Sequence, residues 1–282
     1  MSDLTVHSQP VYQKISKRIA AAKRKQSTPP TTKPKPKTKQ PPNAAPQADL
    51  LTDLLTLHQT KPDQFTDHYL RRMAITNFGA GHETMCSALT SIMAMIGSHP
   101  SVQQRILQEI RQLLLPCSPT KQIISLEASV QSLPYTHATI KEALRLHPVI
   151  GMSLSRRVPA GGFVVGGHRI PAGTSVGCNP IALHRNKDIF GDDAEEFVPE
   201  RWLRCGNEDQ RRVMERYTLT WGGGGRTCPG RHLAEMVLFK VVPALVGALH
   251  VDVTTMPGEE EQRVFFLSMI EGVRVRFRGR DD

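Results

Sequence analysis

Little in this 282-residue sequence would staple a small secreted scaffold or hold a chain in a bilayer. Its five cysteines form no C-x-x-C pair and no regular spacing, which excludes a disulfide framework and points to a reducing compartment. No apolar run reaches the roughly 20 residues a spanning helix needs. The longest, residues 236–251, is interrupted by Lys240 and Pro243. No signal-peptide pattern opens the chain. Aromatic residues make up only 5% of it, and none interleaves with the lysines between Lys33 and Lys39, so a stacking platform for nucleic acid is not supported. No internal repeat occurs at solenoid periods.

Acidic residues are nearly absent from the first 48 positions, where Asp3 stands against ten lysines and arginines. That segment therefore carries +9 of the formal +10, and the remainder is close to neutral. Residues 26–48 are rich in Pro, Thr and Lys, a composition that buries little apolar area and reads as disordered or polyproline-like. Residues 11–25 read as a short basic helix. A basic arm can touch nucleic acid or an acidic membrane surface, but a solvated loop between helices is the favoured reading. The expected organisation is a leader over residues 1–48 and a folded portion over 49–282.

The folded portion is 39% hydrophobic along with its leader, an ordinary value for a globular chain. It reads as mainly helical with a small β component. A short helix is expected over residues 50–57, a long buried one over 67–97, and another over 101–115 with Ser98 or Ser101 as its cap. A strand-rich patch follows over 163–176, with turns at Gly166-Gly167 and Ala172-Gly173. Pro243 should end or kink the helix that contains it. The tail, 264–277, alternates as a terminal hairpin would, with Val273, Val275 and Phe277 on one face.

The most informative segment is Trp221-Gly222-Gly223-Gly224-Gly225-Arg226-Thr227-Cys228-Pro229-Gly230. Four successive glycines free the backbone to bend and to lie against a flat object. Arg231 to Phe239 reads as a helix, so the Cys228 sulfur stands just ahead of a helix N-terminus, where the dipole favours an anion. A thiolate is a soft metal ligand, and haem iron is one partner it suits. A Walker-type phosphate loop fails because Arg226, Thr227 and Cys228 stand where Lys and Ser or Thr belong, and G-x-G-x-x-G finds no register. Zinc would need several close Cys or His ligands, and only His232 is near. The bland alternative is a flexible turn holding an inert cysteine.

This decapeptide resembles the haem-binding loop of the cytochrome P-450 superfamily, the haem-thiolate monooxygenases, whose pattern is F-x-x-G-x-R-x-C-x-G. It matches at Gly224, Arg226, Cys228 and Gly230, with Trp221 in the place of Phe. The resemblance implies that Cys228 is the axial iron ligand and that Arg226 pairs with a haem propionate.

Three further segments follow the family's order. Lys141 to Pro148 contains Glu142 and Arg145, three apart and so on one helix face. Alone, such a pair is usually a solvated surface contact, but here it resembles the family's E-x-x-R helix. Phe197-Val198-Pro199-Glu200-Arg201-Trp202 resembles the segment that adds a second arginine, Arg201, to that pair as a structural triad. Phe78-Gly79-Ala80-Gly81-His82-Glu83-Thr84 resembles the oxygen-activation motif A-G-x-E-T. Small residues in mid-helix lower propensity and need a reason, such as close approach of a flat ligand. The resemblance assigns Ala80 and Gly81 to the cofactor face, and Glu83 and Thr84 to catalysis. Arg156 matches an arginine that reaches the other propionate, with Arg157 adjacent and equally placed. His184-Arg185-Asn186 fits a family habit and is given no chemistry.

Lys240-Val241-Val242-Pro243 and the wording around Arg201 place the resemblance nearest to fungal members. It covers residues 48–282, the C-terminal portion of such an enzyme, and implies a mainly α fold with small β-sheets, truncated at its N-terminal part. The implied activity is insertion of one oxygen atom from O2 into a small lipophilic substrate, with haem as cofactor and an NADPH-dependent reductase as electron donor. Neither nucleic acid nor a transmembrane segment of this chain belongs to that picture. An intracellular location is implied; full-length relatives often sit on the endoplasmic reticulum membrane, through an anchor not found here. The alternative is a truncated, inactive remnant that retains the haem-binding motif.

Overall fold

A computed structural model describes residues 13, 16–21, 23–24, 50–114, 124–203, 208–258 and 263–280. The Pro- and Lys-rich stretch 26–48, Cys117 and Cys205 lie outside them. The architecture is α+β, helices with four small two-stranded antiparallel sheets among the described residues. None of the described helices is long and apolar enough to cross a membrane.

The chain divides into two compact units, Met1–His82 and Glu83–Asp282. In the first, the helical residues 16–21 contribute Ile19 to a small core with Leu54 and Leu55 of α1 (Leu50–Thr60) and Leu70 of α2 (Asp67–Ser98). Hydrogen bonds from Lys23 and Arg71 hold the Asp67 carboxyl down at about 2.

The second unit takes the rest of α2, then α3 (Pro100–Leu114), α4 (Leu126–Ser132) and α5 (Pro134–Leu146). Val102, Ile106 and Ile110 make a stripe on α3 at a four-residue interval and are buried. They join Ile92 and Ile96 of α2, Ile140 and Leu144 of α5, and Leu238, Val242 and Val246 of α9 (Arg231–Ala248) in one core. Short helices α6 (Pro180–Leu183), α7 (Lys187–Phe190) and α8 (Glu208–Tyr217) lie between α5 and α9.

The long helix is unbroken, but it is not buried throughout as its all-round apolar pattern suggests. Phe78 is 47% exposed and Ala80 to Glu83 are exposed; after Leu70, no residue of the helix is buried until Ser87. Only the second half of α2 has the core above to pack against.

Pro243 does not end α9, which continues to Ala248. Proline lacks the N–H that the carbonyl of Phe239, four residues earlier, would accept. The hydroxyl of fully buried Ser129 donates to that carbonyl instead, at 2.7 Å. The His137 ring stacks on Phe239 with centroids 3.9 Å apart. Ser129→Ala is therefore expected to lower unfolding free energy by ~1–3 kcal/mol, because it orphans a buried carbonyl. Urea unfolding checks this, and the loss should shrink in a Pro243→Ala background, where the missing N–H returns.

Strands β1 (Arg156–Arg157) and β4 (Ser175–Val176) pair, and β2 (Phe163–Val165) and β3 (His168–Ile170) form a hairpin. Gly166 and Gly167 both have positive φ, 54° and 80°, as that two-residue turn requires. The tail is not one hairpin. β6 (Arg263–Val264) pairs only with β7 (Ser268–Met269), while β8 (Arg274–Gly279) pairs with β5 (Leu249–Thr255). Gln103 fixes β5 from the side, its amide accepting from Val251 N and donating to Val251 O at 2.8 Å each. Val275 packs on the core, whereas Phe277 on the same strand face is 48% exposed.

Candidate functional site

The site rests on a buried carboxylate. Glu142 and Arg145 of α5 have no exposed surface. Glu142 Oε1 accepts from Arg145 Nη2 at 2.8 Å, from Arg201 Nε at 2.8 Å and from Val198 N at 3.0 Å. Its Oε2 accepts from Arg145 Nε and from Trp202 Nε1, both at 2.9 Å. Charge neutralisation by two planar guanidiniums, with every lone-pair direction used, is what a buried carboxylate requires. The guanidinium ends that do not reach Glu142 bind backbone, and Arg201 Nη1 also donates to Asp193 Oδ1 at 2.8 Å. Arg145 Nη1 donates to His184 O and Ala194 O, and Arg201 Nη2 donates to Asp193 O at 2.8 Å. A stretch with little regular structure is thereby pinned to α5.

His184 and Trp202 are members of this network that sequence reasoning left without a role. A buried indole N–H needs an acceptor, which was the one available signal for Trp202. His184 is fully buried between Arg145 O and Leu219 N, and burial pushes its pKa down to about 4.

Leu219 leads into the cysteine loop. Gly222 N–H donates to Leu219 O at 2.9 Å, and Cys228 N–H closes the loop onto Trp221 O at 2.9 Å. A single 3₁₀ turn, Gly224–Arg226, lies between them. Gly222 and Gly224 have φ of 72° and 61°, so their backbone requires glycine. Gly223 and Gly225 have no positive φ, and a Cβ added to either would meet no protein atom within 4 Å. Among the described residues, neither conformation nor packing explains their bare backbone. α9 starts at Arg231, and a Cβ at Gly230 would lie 3.8 Å from Cys228 Sγ, so the sulfur sits beside the first turn. Cys228 is a free, exposed thiol, Arg226 is exposed, and Trp221 packs partly against the core.

A cavity of about 600 Å³ opens beside this loop. Gly222, Gly223 and Arg156 line it together with Ile150, Leu154 and Cys178. Arg156 donates to the carbonyls of Leu154 and Ser155 at 3.0 and 3.1 Å, which holds its stem at the cavity wall. Ile150, Leu154 and Cys178 carried no sequence signal. In α2, Ala80 and Gly81 belong to the first unit, which ends at His82, and Glu83 and Thr84 open the second. Gly79 and Gly81 again have no protein atom within 4 Å of an added Cβ. Among the described residues no cluster of three or more His, Cys, Asp or Glu could hold a metal ion, so a metal at this site would depend on the Cys228 sulfur and a ligand that the metal brings with it.

The family model described as cytochrome P-450 matches residues 3–275. The chain belongs to the cytochrome P-450 family. It is 58% identical over 281 residues to cytochrome P-450 monooxygenase sdnT of Sordaria araneosa, which covers 95% of this chain and 49% of that protein. A cytochrome P-450 monooxygenase of Aspergillus terreus is 36% identical over 188 residues, covering 67% and 38% respectively. Pisatin demethylase of Fusarium vanettenii is 38% identical over 177 residues, covering 63% and 32%. The relatives are mostly fungal, and this P-450 chain spans half or less of the length of these three. Within the P-450 family, bound haem is the shared cofactor, and the open glycine face beside an accessible sulfur is chemically suited to it.

Proposed function

We propose that this chain is the cysteine-loop portion of a haem-thiolate monooxygenase. The observation that carries the reading is the exposed Cys228 sulfur at the end of a glycine run whose unfilled side faces away from protein. A bound haem would supply reductive activation of dioxygen for insertion of one oxygen atom into a small lipophilic substrate. Cys228 Sγ would hold the iron as a thiolate, and the helix dipole of α9 would steady its charge. Arg226 and Arg156 would bind the two propionate carboxylates as charge-assisted donors. Gly224 and Gly230 would give the loop its bend, and Trp221 would cover the sulfur side. Ala80 and Gly81 would leave room for the flat ring on the α2 side. The Glu83 carboxylate would take protons from solvent and the Thr84 hydroxyl would hand them on. Electrons would come from an NADPH-dependent reductase, in an intracellular setting.

A second reading has an observation of its own. Residues 223–233 are all exposed, so water reaches the sulfur side of the loop, and an open site loses the dryness such chemistry needs. On that reading the chain is an inactive remnant that keeps the motif. One titration separates the two. Wild-type chain given haem, reduced and exposed to carbon monoxide should show the red-shifted Soret band of a thiolate complex, and Cys228→Ala should lose it. Absence of the band in the wild type favours the remnant.

A further inference from the structure

His184 uses both ring nitrogens, and the two bonds require a single protonation state. Nδ1 lies 2.9 Å from the carbonyl oxygen of Arg145 and must donate, while Nε2 lies 2.7 Å from Leu219 N and must accept. The ring is therefore neutral with its proton on Nδ1. Burial, which holds its pKa near 4, agrees with that state. The residue's own carbonyl accepts from Arg145 Nη1 at 2.6 Å. His184 is thus tied to Arg145 twice and to Leu219 once. Beyond Leu219 the bonds continue through Gly222 N–H and the Trp221–Cys228 closure. An apolar side chain would fill the same volume but leave the Leu219 N–H and the Arg145 carbonyl unmet.

We infer that His184 is a positioning residue for Cys228: its imidazole sets the register of the Leu219–Trp221 segment against the buried Glu142–Arg145 pair. The effect on any bound haem rests on the function proposed above; the effect on the loop does not.

The test uses the whole chain without haem, at pH 7, read by amide hydrogen exchange. In His184→Gln the side-chain oxygen can reach the Nε2 position and accept from Leu219. In His184→Asn the amide can serve Arg145 O but is too short for Leu219. His184→Ala does neither. Exchange in residues 219–228 should rise about tenfold or more in the Ala and Asn variants and return to within about threefold of wild type in the Gln variant. Residues 136–146 should stay protected in the Gln and Asn variants. Equal loop exchange in Gln and Asn overturns the inference, as does an equal rise in 136–146 or failure of both to fold. With haem and carbon monoxide, the thiolate band should follow the same order. If wild type binds no haem, the proposed function falls while the exchange result still decides the role of His184.

Discussion

Glu142→Gln should destabilise the chain by about 3–5 kcal/mol, the loss expected when one partner is removed from a buried ion pair. The carboxylate accepts from Arg145, Arg201, Trp202 and Val198, and both Glu142 and Arg145 have no exposed surface. Glutamine keeps the shape but loses the charge, and its NH2 group would face donors. Two guanidiniums would then share one neutral oxygen in a site that water does not reach. Against a total stability on the order of 5–15 kcal/mol, such a loss removes a large fraction of the margin. The urea midpoint should fall sharply with an unchanged slope, and added salt should not restore it, since buried charges are little screened. Arg201→Lys should fall between, because an ammonium keeps the charge but cannot span Glu142 Oε1, Phe190 O and Asp193 Oδ1 together. An unaltered midpoint in Glu142→Gln would mean that the network adds nothing to stability.

Acid should unfold the second unit well above the pH at which its carboxylates protonate. Burial lowers His137, His147 and His184 from an ordinary 6.5 to about 4. Each is neutral in the folded chain, whereas the unfolded chain takes up these protons below pH 6.5. The stability they contribute is fully present above about pH 6.5 and is lost as pH falls toward 4. For fully buried His184 the shift corresponds to about 3 kcal/mol; His137 and His147 are partly exposed and add less. Asp67 acts lower, since its depressed carboxyl loses stability only as pH falls from 3.8 toward about 2. Unfolding free energies at pH 7.5, 6.0, 5.0 and 4.5 should therefore decline steadily, and His184→Gln should flatten the decline. A level profile across that range would contradict the assignment of these rings as buried and neutral.

Much of this was legible in the sequence because it is written in neighbouring residues. The α+β class followed from periodicity, and the Gly166-Gly167 turn from the φ that only glycine supplies cheaply. Family membership was legible in Cys228 and Arg226 because a loop before a helix keeps its motif within ten residues. The spacing of Glu142 and Arg145 placed both on one face of α5. What spacing could not say was whether that pair would be solvated or buried.

Tertiary structure decided the rest, since a hydrogen-bond partner distant in the chain leaves no local pattern. Arg201 and Trp202 reach Glu142 across 59 and 60 positions, and His184 reaches Leu219 across 35. Pro243 stays within a helix because a hydroxyl 110 positions from Phe239 meets the carbonyl it leaves open. The tail strand alternates, yet alternation does not name a partner, and β8 pairs with β5, the strand that Gln103 also holds. The sequence by itself determined the composition of each element and the family motif that ends at Cys228 and Gly230. Packing alone determined which polar groups are cut off from water, and so which must find one another.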